Sequence, residues 1–206
     1  MLLLPLAKSN SLISSIPPET IPIIILIVSV VALTIIIERM LYFGRFKTLD
    51  PDSFKTVKEL LREKKWDEAR DILTKNSRGP VTEVLNVAIE HRRREHRYIE
   101  DELKTEAYRQ IFLMEKYLTG LGTIATISPL LGVLGTVTGM IRSFAEGTGT
   151  KGAEVGISEA LITTAMGLAI AIPAYIFYNY LVRKKEEKIS EMENLSEQIL
   201  PILLEK

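Results

Sequence analysis

The chain has 206 residues, is 47% hydrophobic and 25% charged, and carries 26 basic and 26 acidic side chains for a formal net charge of zero. It has no cysteine and only two histidines, His91 and His96, both in a highly charged stretch. That excludes disulfides, a thiolate nucleophile and a cysteine-ligated metal, and leaves no sign of a metal or cofactor site. The two residue classes are segregated: three apolar blocks lie at 21–41, 118–141 and 157–182, and most of the charge lies in 38–117 and 183–206. The fold class expected is therefore an all-α membrane protein with three transmembrane helices and long helical cytoplasmic extensions, not a globular enzyme.

Residues 1–19 join a short apolar run, broken by Pro5, to a Ser/Asn segment and Pro17-Pro18. No positive region precedes the run, so an extracytoplasmic or interfacial segment is expected rather than a signal peptide. The first span is 20–41, with Thr20 as a cap and Pro22 in the first turn. Ile21–Ile37 is Ile- and Val-rich without a polar stripe, so it should face lipid. Glu38, Arg39, Tyr42, Phe43 and Arg45 read as an interfacial anchor.

A cytoplasmic helical loop should fill 42–117. Phe54, Val57, Leu60 and Leu61 form one apolar stripe, and Trp66, Ala69, Ile72 and Leu73 another, which predicts two amphipathic helices with a break after them at 76–80. Neither Gly nor Pro occurs from there until Gly120, so helix is expected to run from about 81 straight into the second span. Arg92-Arg93-Arg94 is balanced by neighbouring acids, reads as a solvated helix face, and does not indicate nucleic acid.

The second span is 118–141. On a helical wheel Gly122, Ala125, Pro129, Gly132, Thr136, Gly139 and Ser143 share one face, and bulky aliphatics take the other. Gly135 and Gly139 form a G-x-x-x-G pair. Pro129 is a candidate kink, with Ser128 or Thr126 to satisfy a freed backbone group. A Gly-rich turn is expected at 142–156. The third span, 157–182, repeats the asymmetry: Glu159, Ala160, Thr163, Thr164, Gly167, Ala171, Ala174 and Tyr178 fall on one side. Pro173 is a second candidate for packing or kinking, and Tyr178 and Tyr180 read as interfacial belt residues. Small faces on two spans suit close packing or a polar passage, and in a ring of subunits they would line a central space.

A tail helix is expected over 183–206, packed on the cytoplasmic helices and ended or kinked at Pro201. Basic residues cluster at Arg39, Arg45, Lys47, Arg109, Lys116, Arg183, Lys184, Lys185 and Lys188, against only Lys8, Arg142 and Lys151 on the other side. The amino terminus should then be outside and the carboxyl terminus cytoplasmic.

Glu159 is the only charged residue in 157–182. At mid-bilayer a charge costs about 2.5–3.5 kcal/mol on insertion scales, so a carboxylate there is a functional candidate. From the residues alone it fits two roles, a proton relay or a helix-end group reaching interfacial water. Thr136 and Thr164 likewise fit either a polar pathway or bonds to their own backbone.

Two runs carry a resemblance. Pro129–Phe144, Pro-Leu-Leu-Gly-Val-Leu-Gly-Thr-Val-Thr-Gly-Met-Ile-Arg-Ser-Phe, resembles the second-span signature of the ExbB/TolQ/MotA proton-channel family. Gly156–Ala174, followed by Tyr178-Asn179, resembles its third-span signature. Three spans with a large cytoplasmic loop resemble the ExbB/TolQ branch. The resemblance implies a pentameric homo-oligomer in the bacterial inner membrane, surrounding the helices of a single-span ExbD/TolR-type partner. It also implies a TonB- or TolA-type protein driven by the proton gradient. It places the family's third-span glutamate at Glu159, its pore threonines at Thr136 and Thr164, and its second-span proline at Pro129. A secondary transporter or a structural scaffold is the alternative, though no inverted repeat is visible.

Overall fold

The computed structural model describes residues 17, 19–92, 94–147 and 150–204. The expected amino-terminal segment, apart from Pro17 and Glu19, and the middle arginine of the 92–94 run lie outside the described residues. Seven helices are present among those described: α1 Thr20–Gly44, α2 Pro51–Arg62, α3 Trp66–Asn76, α4 Pro80–Glu90, α5 His96–Glu115, α6 Leu118–Glu146 and α7 Lys151–Leu204. There is no strand among them, only an isolated antiparallel bridge in which Lys47 and Arg78 exchange backbone hydrogen bonds of 2.8 and 3.0 Å. α1, the run containing α6, and α7 are each long and apolar enough to cross a membrane. The chain divides into two units: residues up to 37 with 119–179, and 38–118 with the remainder of the chain from 180.

In the first unit α6 runs antiparallel to both α1 and α7, and small residues line the contact between α6 and α7. Ile25, Ala32 and Ile36 are the buried positions of α1 within this unit, while Ile23, Leu26, Ile27, Val30 and Leu33 are all more than half exposed. That broad apolar surface is the face lipid would cover. A methyl group on Gly120 of α6 would lie 3.9 Å from Ile35, and Ile21 approaches Gly135, so α1 lies along α6 for most of its length.

The second unit is a helical body with one apolar core. Phe54, Val57 and Leu61 of α2 meet Ala69 and Leu73 of α3, Val84, Leu85 and Ala88 of α4, and Ile99, Leu103 and Met114 of α5. The stripes legible at helical spacing are therefore the buried ones. Met192, Ile199, Ile202 and Leu203 from the end of α7 complete this core, so the tail packs on the helices of the loop. Asn76 at the end of α3 donates to the Ser53 hydroxyl of α2 at 3.0 Å. Tyr42, Phe43 and Phe46 form an edge-to-face aromatic trio packed against the same core. Tyr42 and Phe43, two of the residues expected to anchor the first span at the membrane surface, pack on this core.

Four local expectations change. The chain from α4 to α6 is not one helix: it breaks at 91–95 and again at Lys116-Tyr117. Arg92 and Arg94 consequently sit in a break, not on a helix face. Arg92 donates to the Ile89 carbonyl at 2.9 Å, ending α4, and its guanidinium lies 5.2 Å from the Trp66 ring. The turn expected over 142–156 is much shorter, because α6 continues to Glu146 and α7 begins at Lys151. Gly147 leaves α6 at φ +96, and the Thr150 hydroxyl accepts the Ala153 amide at 3.2 Å, which caps α7. Finally, α7 runs through Pro201 to Leu204. Proline removes one backbone donor, and the burial of Ile202 and Leu203 in the core holds the last turn.

Glu106 of α5 gives the body a pH dependence. Burial works to raise its carboxyl, but hydrogen bonds from Arg109 (2.8 and 2.7 Å) and Gln110 (2.7 Å) outweigh that and hold it below the usual value of 4.5. A group depressed in the folded state stabilises at neutral pH and loses that contribution as pH falls through its folded value. The thermal midpoint is expected to drop on acidification below about 4.5, and Glu106→Gln to remove part of that drop in melts followed by circular dichroism.

Candidate functional site

The site lies where α6 and α7 run antiparallel at very short range. Gly132 and Gly167 allow it: a Cβ on Gly167 would lie 2.5 Å from the Ser128 carbonyl oxygen, and one on Gly132 would lie 2.9 Å from Thr164 Cα. Further along the seam a Cβ on Gly135 would collide with the Thr163 hydroxyl, one on Gly139 would sit 2.6 Å from Ala160 Cβ, and one on Gly156 2.5 Å from Ser143 Oγ. At the other end the Tyr178 ring covers Gly122 at 2.9 Å from that glycine's Cβ position. Tyr178 is therefore half-buried packing, whereas Tyr175 and Tyr180 are exposed. Ala125, Ser128, Ser143, Ala160, Thr163, Ala171 and Ala174 are buried along the same line. The small faces read from the wheel thus meet each other inside one chain.

Pro129 and Pro173 both sit inside continuous helix. The carbonyl that Pro129 leaves without its usual partner is that of Ala125, four residues back. Ser128 donates instead to Ile124 at 2.7 Å and Thr126 to Gly122 at 3.0 Å, so neither hydroxyl takes up that group.

Thr136 and Thr164 face each other across the seam. Their hydroxyls are 3.0 Å apart, Thr164 donates to the Gly132 carbonyl at 2.9 Å, and Thr136 donates to its own backbone at Val133 at 2.8 Å. Each hydroxyl has one proton and two lone pairs, so the pair can exchange donor and acceptor roles. Thr164→Val keeps the shape and removes the interhelical bonds. We expect it to cost about 1–2 kcal/mol, and Thr164→Ser to restore most of this, in unfolding titrations in mild detergent.

Glu159 is not joined to that pair. It is exposed on α7, and no hydrogen bond or ion pair to its carboxylate is found among the described residues. It lines a groove of about 1150 Å³, with Gly135, Gly139, Ser143, Ala160 and Thr163 along the seam and Ile21, Ile23, Leu26, Ile162 and Met166 as apolar wall. Glu19, Arg142 and Lys151, at the ends of α1, α6 and α7, supply charge to the same groove. The earlier start of α7 bears on the two readings of Glu159. With Lys151 as first residue, Glu159 lies more than two turns inside the helix, about 12 Å along its axis. Lys151 and Glu154 occupy the turns before it and Glu19 and Arg142 border the same groove, so a relay and a group reaching interfacial water both fit this position. The Ser143 hydroxyl, 2% exposed and without a partner among the described residues, also borders the groove. The sequence signals its place on the small face but not its unmet hydrogen bond. Gly156, which makes room for it, looked like part of a turn.

Three helices long and apolar enough to cross a membrane, two of them joined by a glycine seam that carries a hydroxyl pair, define a multi-pass membrane protein. The sequence matches the family model described as the MotA/TolQ/ExbB proton channel family over residues 76–194, more than half its length. It is 40% identical over 99 residues to the biopolymer transport protein ExbB of Aquifex aeolicus, covering 44% of this chain and 67% of that one. It is 30% identical over 173 residues to a putative ExbB-like protein of Synechocystis, covering 80% and 68%. To the Tol-Pal system protein TolQ of Haemophilus influenzae it is 37% identical over 100 residues, covering 46% and 44%. This chain belongs to the MotA/TolQ/ExbB proton channel family.

Proposed function

We propose that the protein is a proton-channel stator subunit of the cytoplasmic membrane, working with a single-span ExbD/TolR-type subunit to couple the proton gradient to movement of a TonB- or TolA-type protein. The observation that carries this reading is Glu159: a carboxylate with no hydrogen bond or ion pair among the described residues, more than two turns into α7 and opening on a groove between spans. Such a group is costly to retain in a membrane unless protonation is part of its work. Thr164, one and a half turns further along α7, and Thr136 of α6, their hydroxyls 3.0 Å apart, add groups able to pass a proton. One proton crossing 100 mV releases about 2.3 kcal/mol, so work on a distant partner needs several per cycle. The amino terminus and the α6–α7 turn are outside, and the helical body and tail are cytoplasmic, in keeping with the placement of lysine and arginine. The assembly is a pentamer around the partner's helices.

Native mass spectrometry of the tagged chain, extracted mildly from its own membranes, tests this. Five copies with a substoichiometric single-span protein carrying an acidic residue in its span support it. A monomer or dimer without such a protein contradicts it and favours a transporter or scaffold.

A further inference from the structure

The break before the second span is unusual in its chemistry. α5 ends at Glu115 and α6 begins at Leu118. Between them Lys116 takes φ −48, ψ 127, and Tyr117 takes φ +67. Positive φ is ordinary for glycine and rare for an aromatic residue, whose Cβ crowds the backbone there. Gly120 and Gly122 lie close by in sequence, yet the chain places tyrosine at the break. The Lys116 amide still donates to Phe112 at 3.0 Å, so the α5 ladder is intact to that point. In a continuous helix the next amide, that of Tyr117, would donate to the carbonyl of Leu113. That carbonyl instead accepts Nη1 of Arg39 at 2.9 Å.

Arg39 comes from the end of α1 and is 3% exposed. Its other edge is held by the Glu38 carboxylate, through Nε to Oε2 and through Nη2 to Oε1 at 2.6 Å. Its guanidinium lies 4.4 Å from the centroid of the Tyr42 ring and 5.4 Å from that of Tyr117. One planar cation therefore satisfies the carbonyl that the break exposes and contacts the ring of the residue that makes it. Lysine has neither the fork nor the flat face for both tasks. Lys116, whose Nζ is 4.9 Å from the Tyr117 ring, touches the ring and has no bond to the carbonyl among those found in the described residues.

We propose that Arg39 is a positioning residue that holds the α5–α6 break, standing in for the amide of Tyr117 at Leu113 and clasping the Tyr117 ring in its left-handed setting. A side chain at the end of the first span thereby fixes where the second span starts. The proposal does not depend on whether Glu159 moves protons.

The test is solid-state NMR on the full chain in lipid bilayers, isotopically labelled at Leu113, Lys116, Tyr117 and Leu118, with backbone shifts as readout. The wild type is expected to show left-handed shifts at Tyr117. In Arg39→Gln these are expected to move to helical values, with Lys116 following, and in Arg39→Lys only part of the population moves. Adding Tyr117→Gly to Arg39→Gln should restore the break at Lys116, because glycine takes positive φ without help. A role confined to folding would lower the yield without moving shifts, and glycine at 117 would not rescue it. Left-handed Tyr117 shifts persisting in Arg39→Gln overturn the proposal. If Arg39→Gln does not accumulate, the double variant still must, and its failure to do so overturns the proposal equally.

Discussion

Glu159→Gln is expected to abolish proton-driven work while leaving the amount of protein, its helicity and its assembly unchanged. Glutamine has nearly the same shape, keeps a polar tip in the groove and removes only the titratable group. It also relieves the insertion cost of a charge in an apolar helix, about 2.5–3.5 kcal/mol at mid-bilayer and less towards the interface. The substitution should therefore not weaken the spans, and lost activity cannot be assigned to misfolding. The carboxylate makes no hydrogen bond or ion pair among the described residues, so no structural partner is orphaned by the change. Glu159→Asp retains the proton but shortens the reach, and intermediate activity is expected. The measurement is gradient-dependent uptake or envelope integrity in cells carrying each variant, with copy number by native mass spectrometry as control. Normal work in Glu159→Gln would remove this residue from the proton path.

The second large effect concerns the seam. Gly167→Ala is expected to be far more damaging than one methyl group normally is. Its Cβ would meet the Ser128 carbonyl oxygen at 2.5 Å, Gly132 Cα at 3.1 Å and the Gly132 nitrogen at 3.2 Å. All three are backbone atoms of α6, so no rotamer change relieves the clash and the helices must separate. Overpacking of this kind costs about 1–3 kcal/mol or more, and separation would also break the bond from Thr164 to Gly132. Gly132→Ala should behave alike, since its Cβ would meet Thr164 Cα at 2.9 Å. Gly120→Ala is the control. There the nearest atom is Ile35 Cδ1 at 3.9 Å, and the better helix former is expected to be neutral or to stabilise by about 0.5–1 kcal/mol. Unfolding titrations in mild detergent compare the three, and equal stability of Gly167→Ala and Gly120→Ala would contradict the seam.

Much of this was legible in the sequence because burial has a period. The stripes Phe54–Leu61 and Trp66–Leu73, the three apolar spans, and the tail residues Met192 and Ile199 all lie where helical spacing places them. The small faces of α6 and α7 were legible too, but a wheel cannot say whether a small face meets its own chain, another copy or water. The structure brings Gly132 and Gly167 to one another's backbone. The breaks were hidden for a different reason. Sequence reading relies on Gly and Pro to mark them, and at Tyr117 the break is held from 78 positions away by Arg39. Conversely, Gly156 suggested a turn that is helix, because in an antiparallel seam glycine serves close approach instead of chain reversal.

Proton flux into sealed vesicles tests the central claim most directly. The chain is co-purified with its single-span partner, reconstituted, and given an imposed gradient with a pH-sensitive dye inside. Flux in the wild type that is lost in Glu159→Gln, at equal incorporation, is the predicted result. Equal flux in the two, or none above empty vesicles with the intact complex present, would contradict it.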